Sequence, residues 1–309
     1  MTLQQLRCLI AIADHGFSVS RAADALFTTQ PGVSKMVRAL EAETGAELFV
    51  RSGNRLLTTT DAGRKALALA RRMLGDAGAL GALGKSSQAG AVGKLTVGTT
   101  HMHARYVLLP AVKAFAARYP QVELSLIQGS PREILRWVQE GVIDIGLSTL
   151  PQRLPAEVRT LEAYPIGRCI ITPPGHPLLR KRRPTVEDVA AYPLITYEDS
   201  FSTGHAVDHE FQRRGLSPRI VLRATDSSVI KAYVAEGIGI AVIQRAAIDS
   251  KADAGLRFID ADALFPASTA MLSVRRDHLL PGFAFDFIAS VVPHLPPAKI
   301  RQALGSMQG

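Results

Sequence analysis

The chain has 309 residues, of which 47% are hydrophobic and 20% charged, with two cysteines and a net charge of +9 at neutral pH. That length predicts about two domains, and the balance excludes a disordered or low-complexity chain. Its apolar runs, such as Ile238–Ile243, fall far short of the ~18 residues a membrane-spanning helix needs.

The start, Met1-Thr2-Leu3-Gln4-Gln5, carries polar residues where a signal peptide would place its apolar core. Cys8 and Cys169 lie far apart in apolar stretches. They read as buried free thiols in a reducing cytoplasm, not as a disulfide framework or metal site. A basic surface permits nucleic-acid binding without requiring it, so the placement of charge matters. Between Arg21 and Arg72 nine basic residues face five acidic ones, a local excess of +4. The asymmetry favours an N-terminal nucleic-acid module.

Leu3, Leu6, Leu9, Ile10 and Ala13 recur at helical spacing, and His15-Gly16 stops that segment. Ser18 or Ser20 can cap a second helix carrying Ala22, Ala23 and Leu26, whose small residues allow close approach. Phe27-Thr28-Thr29-Gln30 makes a tight connection, and Pro31 suits the first turn of a third helix running to Gly45. Leu48-Phe49-Val50 and Leu56-Leu57-Thr58 flank Arg51-Ser52-Gly53-Asn54-Arg55, a two-stranded wing with a basic tip. Gln30 and Ser34 can reach base edges there, while Lys35 and Arg38 can hold phosphates. An ordinary helical hairpin with a solvated charged face is the bland alternative.

Thr60-Asp61 starts a longer helix, in which Ala66, Ala70, Met73, Ala77 and Leu80 follow the spacing of a narrow pairing seam. Gly75, Gly78, Gly81 and Gly84 interrupt it, each costing up to about 1 kcal/mol against alanine. Such a helix needs a partner to persist. Ser86–Gly90 reads as a linker.

From Gly93 strands and helices alternate, which predicts βαβ units on a mostly parallel sheet. Strands fall at Lys94–Gly98, Val122–Gln128, Ile143–Leu147, Cys169–Thr172, Pro193–Tyr197, Ile220–Ala224, Ile238–Ile243 and Met271–Val274. Helices fall at Tyr106–Tyr119, Pro131–Glu140, Ser227–Ala235 and Phe283–Val292. Thr99-Thr100, Ser130-Pro131 and Thr225-Asp226 each follow a strand and precede a helix, where unpaired N–H groups suit an anion or a polar small molecule. Each is equally readable as a plain helix cap.

Gly237-Ile238-Gly239 follows a helix and enters a strand, the reverse of a phosphate-binding loop. His101 and His103 have no nearby third ligand for a metal. No nucleophile elbow, phosphate loop or zinc-protease motif is present, so an enzyme has no candidate machinery.

Gln30-Pro31-Gly32-Val33-Ser34, the following Leu40-Glu41, Leu48-Phe49 and the helix start at Thr58–Gly63 resemble the LysR-type transcriptional regulators. The resemblance spans the chain. Leu3-Gln4-Gln5-Leu6-Arg7, Thr99-Thr100-His101, Arg118-Tyr119-Pro120, Gln128-Gly129-Ser130-Pro131 and Val229-Ile230-Lys231 are similar to the branch governing sulfur assimilation and cysteine synthesis. It implies a winged helix-turn-helix over 1–59 and a linker and dimerisation helix over 60–90. An α/β effector domain like periplasmic binding proteins would occupy 91–309, with lobe I at about 91–163 and 268–309 and lobe II at about 164–267.

DNA contacts would fall on Ser18, Thr28, Thr29, Gln30, Pro31, Ser34, Lys35, Arg38, Arg51 and Arg55. Effector contacts would fall on Thr99, Thr100, Met102, His103, Ser130, Thr149, Ser202, Thr203 and Thr225. The resemblance further implies a homotetramer built as a dimer of dimers, double-stranded promoter DNA and RNA polymerase as partners, and no membrane. There would be no cofactor beyond an effector such as sulfate, thiosulfate or an acetylserine-like compound. Met102 and His103 stand where that branch carries threonine and glutamine, which leaves effector identity open. A regulator of aromatic, organic-acid or sulfonate metabolism and a transport-type binding protein are the alternatives.

Overall fold

The computed structural model describes residues 1–53, 55–82, 91–151 and 153–305. The expected linker at Ser86–Gly90, Gly84 and the wing-tip Asn54 lie outside the described residues. No helix among those described is long and apolar enough to cross a membrane.

Three helices open the chain: α1 (Leu3–Asp14), α2 (Val19–Ala25) and α3 (Gln30–Thr44). Each begins on a hydroxyl cap, of which the sequence predicts only the one at Ser18. Thr2 forms a capping box with Gln5, Ser18 accepts from the Arg21 N–H, and Thr29 accepts from the Gly32 N–H. Gly45 ends α3 in the left-handed conformation that favours glycine. Strands β1 (Phe49–Ser52) and β2 (Arg55–Thr59) form the antiparallel wing. The core is apolar side chains from every element, including Leu9, Ile12, Val33, Leu40 and Phe49.

Helix α4 (Asp61–Ala82) closes this unit. The Thr60 hydroxyl accepts from the Gly63 N–H at 2.9 Å and donates to the Glu47 carbonyl at 2.7 Å, anchoring the helix to the strand before it. The pairing seam read from spacing divides. Ala70 is buried against α1 in the same core, whereas Met73 and Leu80 are exposed together with Leu69.

The second half holds two five-stranded sheets. The first has the order β4-β3-β5-β12-β6, built from β3 (Gly93–Thr99), β4 (Val122–Gln128), β5 (Ile145–Ser148), β6 (Val158–Ile166) and β12 (Ser268–Arg275). The second has the order β11-β7-β10-β8-β9, from β7 (Arg168–Thr172), β8 (Leu194–Tyr197), β9 (Ile220–Ala224), β10 (Ile240–Gln244) and β11 (Arg257–Asp260). Helices α5 (Leu109–Arg118), α6 (Pro131–Glu140), α10 (Gly282–Val291) and α11 (Pro297–Leu304) follow strands of the first sheet. Helices α7 (Val186–Ala190), α8 (Ser202–Arg213) and α9 (Ser227–Ala235) lie in the second.

Neither sheet is mostly parallel, which corrects the expectation from alternation. β12 runs antiparallel to β5 and β6, and β7 antiparallel to β10 and β11. The reason is geometric. A strand arriving from the other lobe enters at the edge where the parallel strands end, so it must run against them. The first sheet keeps β6 through Ile166 and β7 of the second opens at Arg168, so the passage between sheets falls at Gly167.

The helix expected over Tyr106–Tyr119 is also divided. His103–Val107 forms a π-helical turn, with the Leu108 N–H donating to the His103 carbonyl five residues back, before α5 begins.

Helix α4 meets β1 so closely that a Cβ on Gly63 would stand 1.9 Å from the Leu48 carbonyl oxygen. Gly63→Ala should therefore destabilise the N-terminal unit by about 1–3 kcal/mol. Gly78→Ala, with nothing within 4 Å of its added carbon, should not. Urea unfolding of both variants followed by circular dichroism checks the contrast.

Candidate DNA-reading surface and effector cleft

Helix α3 presents Thr29, Gln30, Pro31, Lys35 and Arg38 exposed, with Thr28 beside them in the preceding turn. Val33, Val37 and Leu40 turn into the core. Ser34 is half-buried, and Ser18 serves as the α2 cap. Ser20 donates to the Gln30 side chain at 3.3 Å, which couples the two helices on their outer face. Phe27, read from sequence only as part of a connection, is almost fully exposed at a φ of 52°.

The two wing arginines differ. Arg55 is exposed. Arg51 forms an ion pair with Glu41 at 2.7 Å, and the same carboxylate accepts from the Leu48 N–H at 2.9 Å. Arg51 thus ties the wing to α3.

In the second half the carboxyl ends of the parallel strands present Thr99, Gln128 and Ser148 from the first sheet. The second presents Tyr197, Ala224 and Gln244. Thr99 is buried and donates to the Leu147 carbonyl at 2.9 Å; Thr100 is buried beside it. Thr149 is half-buried at the end of β5. Ser130 is already engaged: it caps α6, forms a capping box with Glu133 and donates to that carboxylate at 2.8 Å. At α9 the cap is Asp226, and Thr225 is exposed. Of the three hydroxyl-bearing helix starts, only Thr99-Thr100 keeps its hydroxyls buried at the edge.

Met102 and His103 depart furthest from a simple pocket wall. Met102 is buried in the apolar core of the second lobe with Tyr197, Phe201 and Ile230, and Tyr106 packs against the same cluster. One turn on, Arg105 donates to the Ser228 hydroxyl at 2.9 Å, and His101 approaches Asp226 at 4.0 Å. The π-helical turn therefore grips the start of α9 with an apolar and a polar face.

His103 is buried in the first lobe, edge-on to Tyr164 with ring centroids 5.8 Å apart. Burial pulls its pKa down to about 4, only partly opposed by its bond to the Leu147 carbonyl, so the ring is neutral. Because Nδ1 faces that carbonyl at 3.3 Å, it carries the proton and Nε2 is left as an acceptor.

Buried polar side-chain atoms without a hydrogen-bond partner among the described residues occur on α4, at Arg72 and Asp76, and at and beside these strand edges. They include His103 Nε2, the Tyr164 hydroxyl, Thr196 Oγ1, Gln244 Oε1, and Nε and Nη1 of Arg168. Thr203 is fully buried and accepts from the Gln244 amide at 3.3 Å, while Ser202 is half-buried beside it. Sequence reasoning passed over Arg168 and Gln244, which lie just outside the strands read at Cys169–Thr172 and Ile238–Ile243. A charged or amide residue directly abutting a fully apolar run was the available signal.

A separate cavity of about 390 Å³ opens where α1 and α4 meet the first sheet, lined by Asp14, Arg71, Asp144 and His278 among others. Its walls hold two ion pairs, Arg71 with Asp14 and His278 with Asp144 at 3.0 Å, and Arg72 pairs with Asp277 nearby at 2.7 Å. It lies away from the cleft. Among the described residues no group of three or more metal-binding side chains occurs. Both cysteines are free and buried, and burial pushes the Cys169 thiol up to about 12.

Family models match two regions: the bacterial regulatory helix-turn-helix protein of the lysR family over residues 3–64, and the LysR substrate binding domain over residues 88–296. The chain is 36% identical over 304 residues to the HTH-type transcriptional regulator CysB of Burkholderia cenocepacia, covering 98% of this chain and 97% of that protein. It is 38% identical over 291 residues to the HTH-type transcriptional regulator cbl of Escherichia coli K12, covering 93% and 91%. The crystal structure of the cofactor-binding domain of the Cbl transcriptional regulator superposes with a TM-score of 0.66 at 34% identity, covering 71% of this chain and 97% of that one. The chain belongs to the LysR family of bacterial helix-turn-helix transcriptional regulators.

Proposed function

We propose that this LysR-type regulator controls genes of sulfur assimilation or of cysteine or sulfonate metabolism in response to a small polar effector held between its two lobes. The observation carrying the effector half is the set of buried, unpartnered polar atoms on the facing strand edges. Buried polar groups require partners, so such a lining favours a small hydrogen-bonding anion over an aromatic ligand. Thr99, Thr100, Thr149, Ser202 and Thr203 would contact it, with Thr225 at the rim and Met102 acting through the inter-lobe grip.

Promoter DNA would meet the start of α3, with Thr28, Thr29, Gln30, Pro31 and Ser34 nearest the bases and Lys35, Arg38 and Arg55 on phosphates. The exposed apolar stripe of Leu69, Met73 and Leu80 on α4 supports pairing of linker helices into a dimer, and two dimers into a tetramer. RNA polymerase is the expected partner at the promoter, in the cytoplasm, and the chain itself performs no catalysis. A regulator of another organic-acid pathway is the second reading, and the polar lining distinguishes it only by ligand.

Lys35→Ala and Arg38→Ala should each weaken binding to a promoter fragment and lower the slope of log affinity against log salt by about 0.9, as each lost phosphate contact releases fewer counterions. Arg51→Ala should leave that slope unchanged, because its guanidinium is held by Glu41. Fluorescence anisotropy between about 50 and 200 mM salt checks both. Thr100→Val should abolish the rise in melting temperature produced by sulfate, thiosulfate or O-acetylserine in a thermal-shift assay; an unchanged rise would remove Thr100 from the site.

A further inference from the structure

Arg168 opens β7 at the point where the chain passes from the first sheet to the second. It stands opposite Gln244, the last residue of β10. Ile170, two residues on, packs with Val207 and Phe211 of α8, and strand alternation puts Arg168 on that same α8-covered face. Gln244 and Thr196 share the face by the same alternation, since Val242 and Leu194 belong to that cluster.

Arg168 is fully buried, yet it has no carboxylate within ion-pair distance among the described residues. Among the described residues its one side-chain bond runs from Nη2 to the Ser268 hydroxyl at 2.6 Å, and Nε and Nη1 have no acceptor. Asp262, the acid acting most on it, is already occupied. One oxygen accepts from the Arg168 backbone N–H at 2.5 Å, and the other pairs with Arg245 at 2.6 Å. Burial lowers the guanidinium pKa to about 10, which still leaves it cationic at neutral pH. A buried cation without a counter-charge is strongly disfavoured unless something compensates it.

The neighbouring helix adds to the same field. The twelve-residue α8 begins at Ser202, and no side chain caps it. Gly204 lets its first turn press onto the end of β8, because a Cβ there would stand 2.7 Å from the Tyr197 and Glu198 carbonyl oxygens. Uncapped N–H groups and the positive end of the helix therefore face the ends of the same strands. Thr203, in that first turn, links to Gln244.

We infer that Arg168 is the charge-recognising residue of the effector cleft, anchoring the oxygens of a small anion, sulfur oxyanion or carboxylate, beneath the start of α8. The inference rests on the effector-cleft reading above. It explains why a guanidinium is buried at the lobe crossing with donors to spare, and it gives the cleft a selectivity that hydroxyls alone do not supply. A neutral ligand of the same size would leave the charge uncompensated and would bind weakly.

The test is thermal shift on the full chain with sulfate, thiosulfate and O-acetylserine at low millimolar concentration, against sodium chloride of matched ionic strength. Wild type should gain roughly 5 °C with the preferred anion near saturation. Arg168→Met, which fills the space without the charge, should lose that gain while melting no lower than wild type in its absence. Arg168→Lys keeps a charge with fewer donors and should bind at least about tenfold more weakly; it serves if the methionine variant does not fold.

An Arg168→Met chain that melts several degrees lower yet responds like wild type would mark the residue as structural and overturn the inference, as would an Arg168→Lys chain of undiminished affinity. If Thr100→Val loses the response and Arg168→Met keeps it, the cleft reading stands and the anchor falls. A wild type unmoved by all three anions would overturn both.

Discussion

The polypeptide passes twice between its two sheets, once at Gly167 and once between Asp260 and Ser268. Both passages lie at the edge where the parallel strands end. That constraint decides the direction of β7 and β12, and it brings the carboxyl edges of both sheets face to face. Polar groups at those edges cannot all find partners in their own sheet, because the backbone ladder ends there. The cleft is thus a product of topology, and its chemistry comes from whichever side chains occupy the last residue of each strand.

The DNA-reading end follows a different logic. It is a small core whose integrity depends on closeness: Ala22 and Ala23 let α2 approach α3, and Gly63 lets α4 lie on the backbone at Leu48 that leads into β1. Because Ala70 is buried in that same core while Arg72 pairs with Asp277 beyond β12, one helix belongs to the DNA-reading unit and touches the effector half. Movement in the first lobe therefore has a direct mechanical route to the helix that carries the winged unit, without invoking a chain of intervening side chains.

Local features were legible in the sequence. Ser18 as a cap, Gly45 as a stop and the wing strands each depend on residues a few positions apart, and they stand where the pattern put them. The mixed sheets were not legible, since strand direction is set by a crossing that joins residues about a hundred positions apart. Helix α8 escaped notice because His205, Asp208 and His209 dilute the apolar period kept by Val207 and Phe211. In the cleft, Thr99 and Thr100 were readable as hydroxyls at a strand-to-helix turn, whereas Ser202 and Thr203 came only with the family resemblance. Arg168 was hidden because a charge beside an apolar run ordinarily signals solvent, and here the second lobe's folding encloses it. Met102 was readable as an apolar intrusion, but its place in the opposite lobe's core was not.

The π-helical turn at His103–Val107 holds one residue more than an α-helical turn would. Removing a single residue there would let the backbone relax to ordinary α-helix while leaving β3 before it and α5 after it intact. The wide turn absorbs its extra residue locally, so the segments on either side would keep their phase and only the side chains within the turn would change direction. One short, wide turn thus seats Met102 in the core of the second lobe and the very next side chain, His103, in the first.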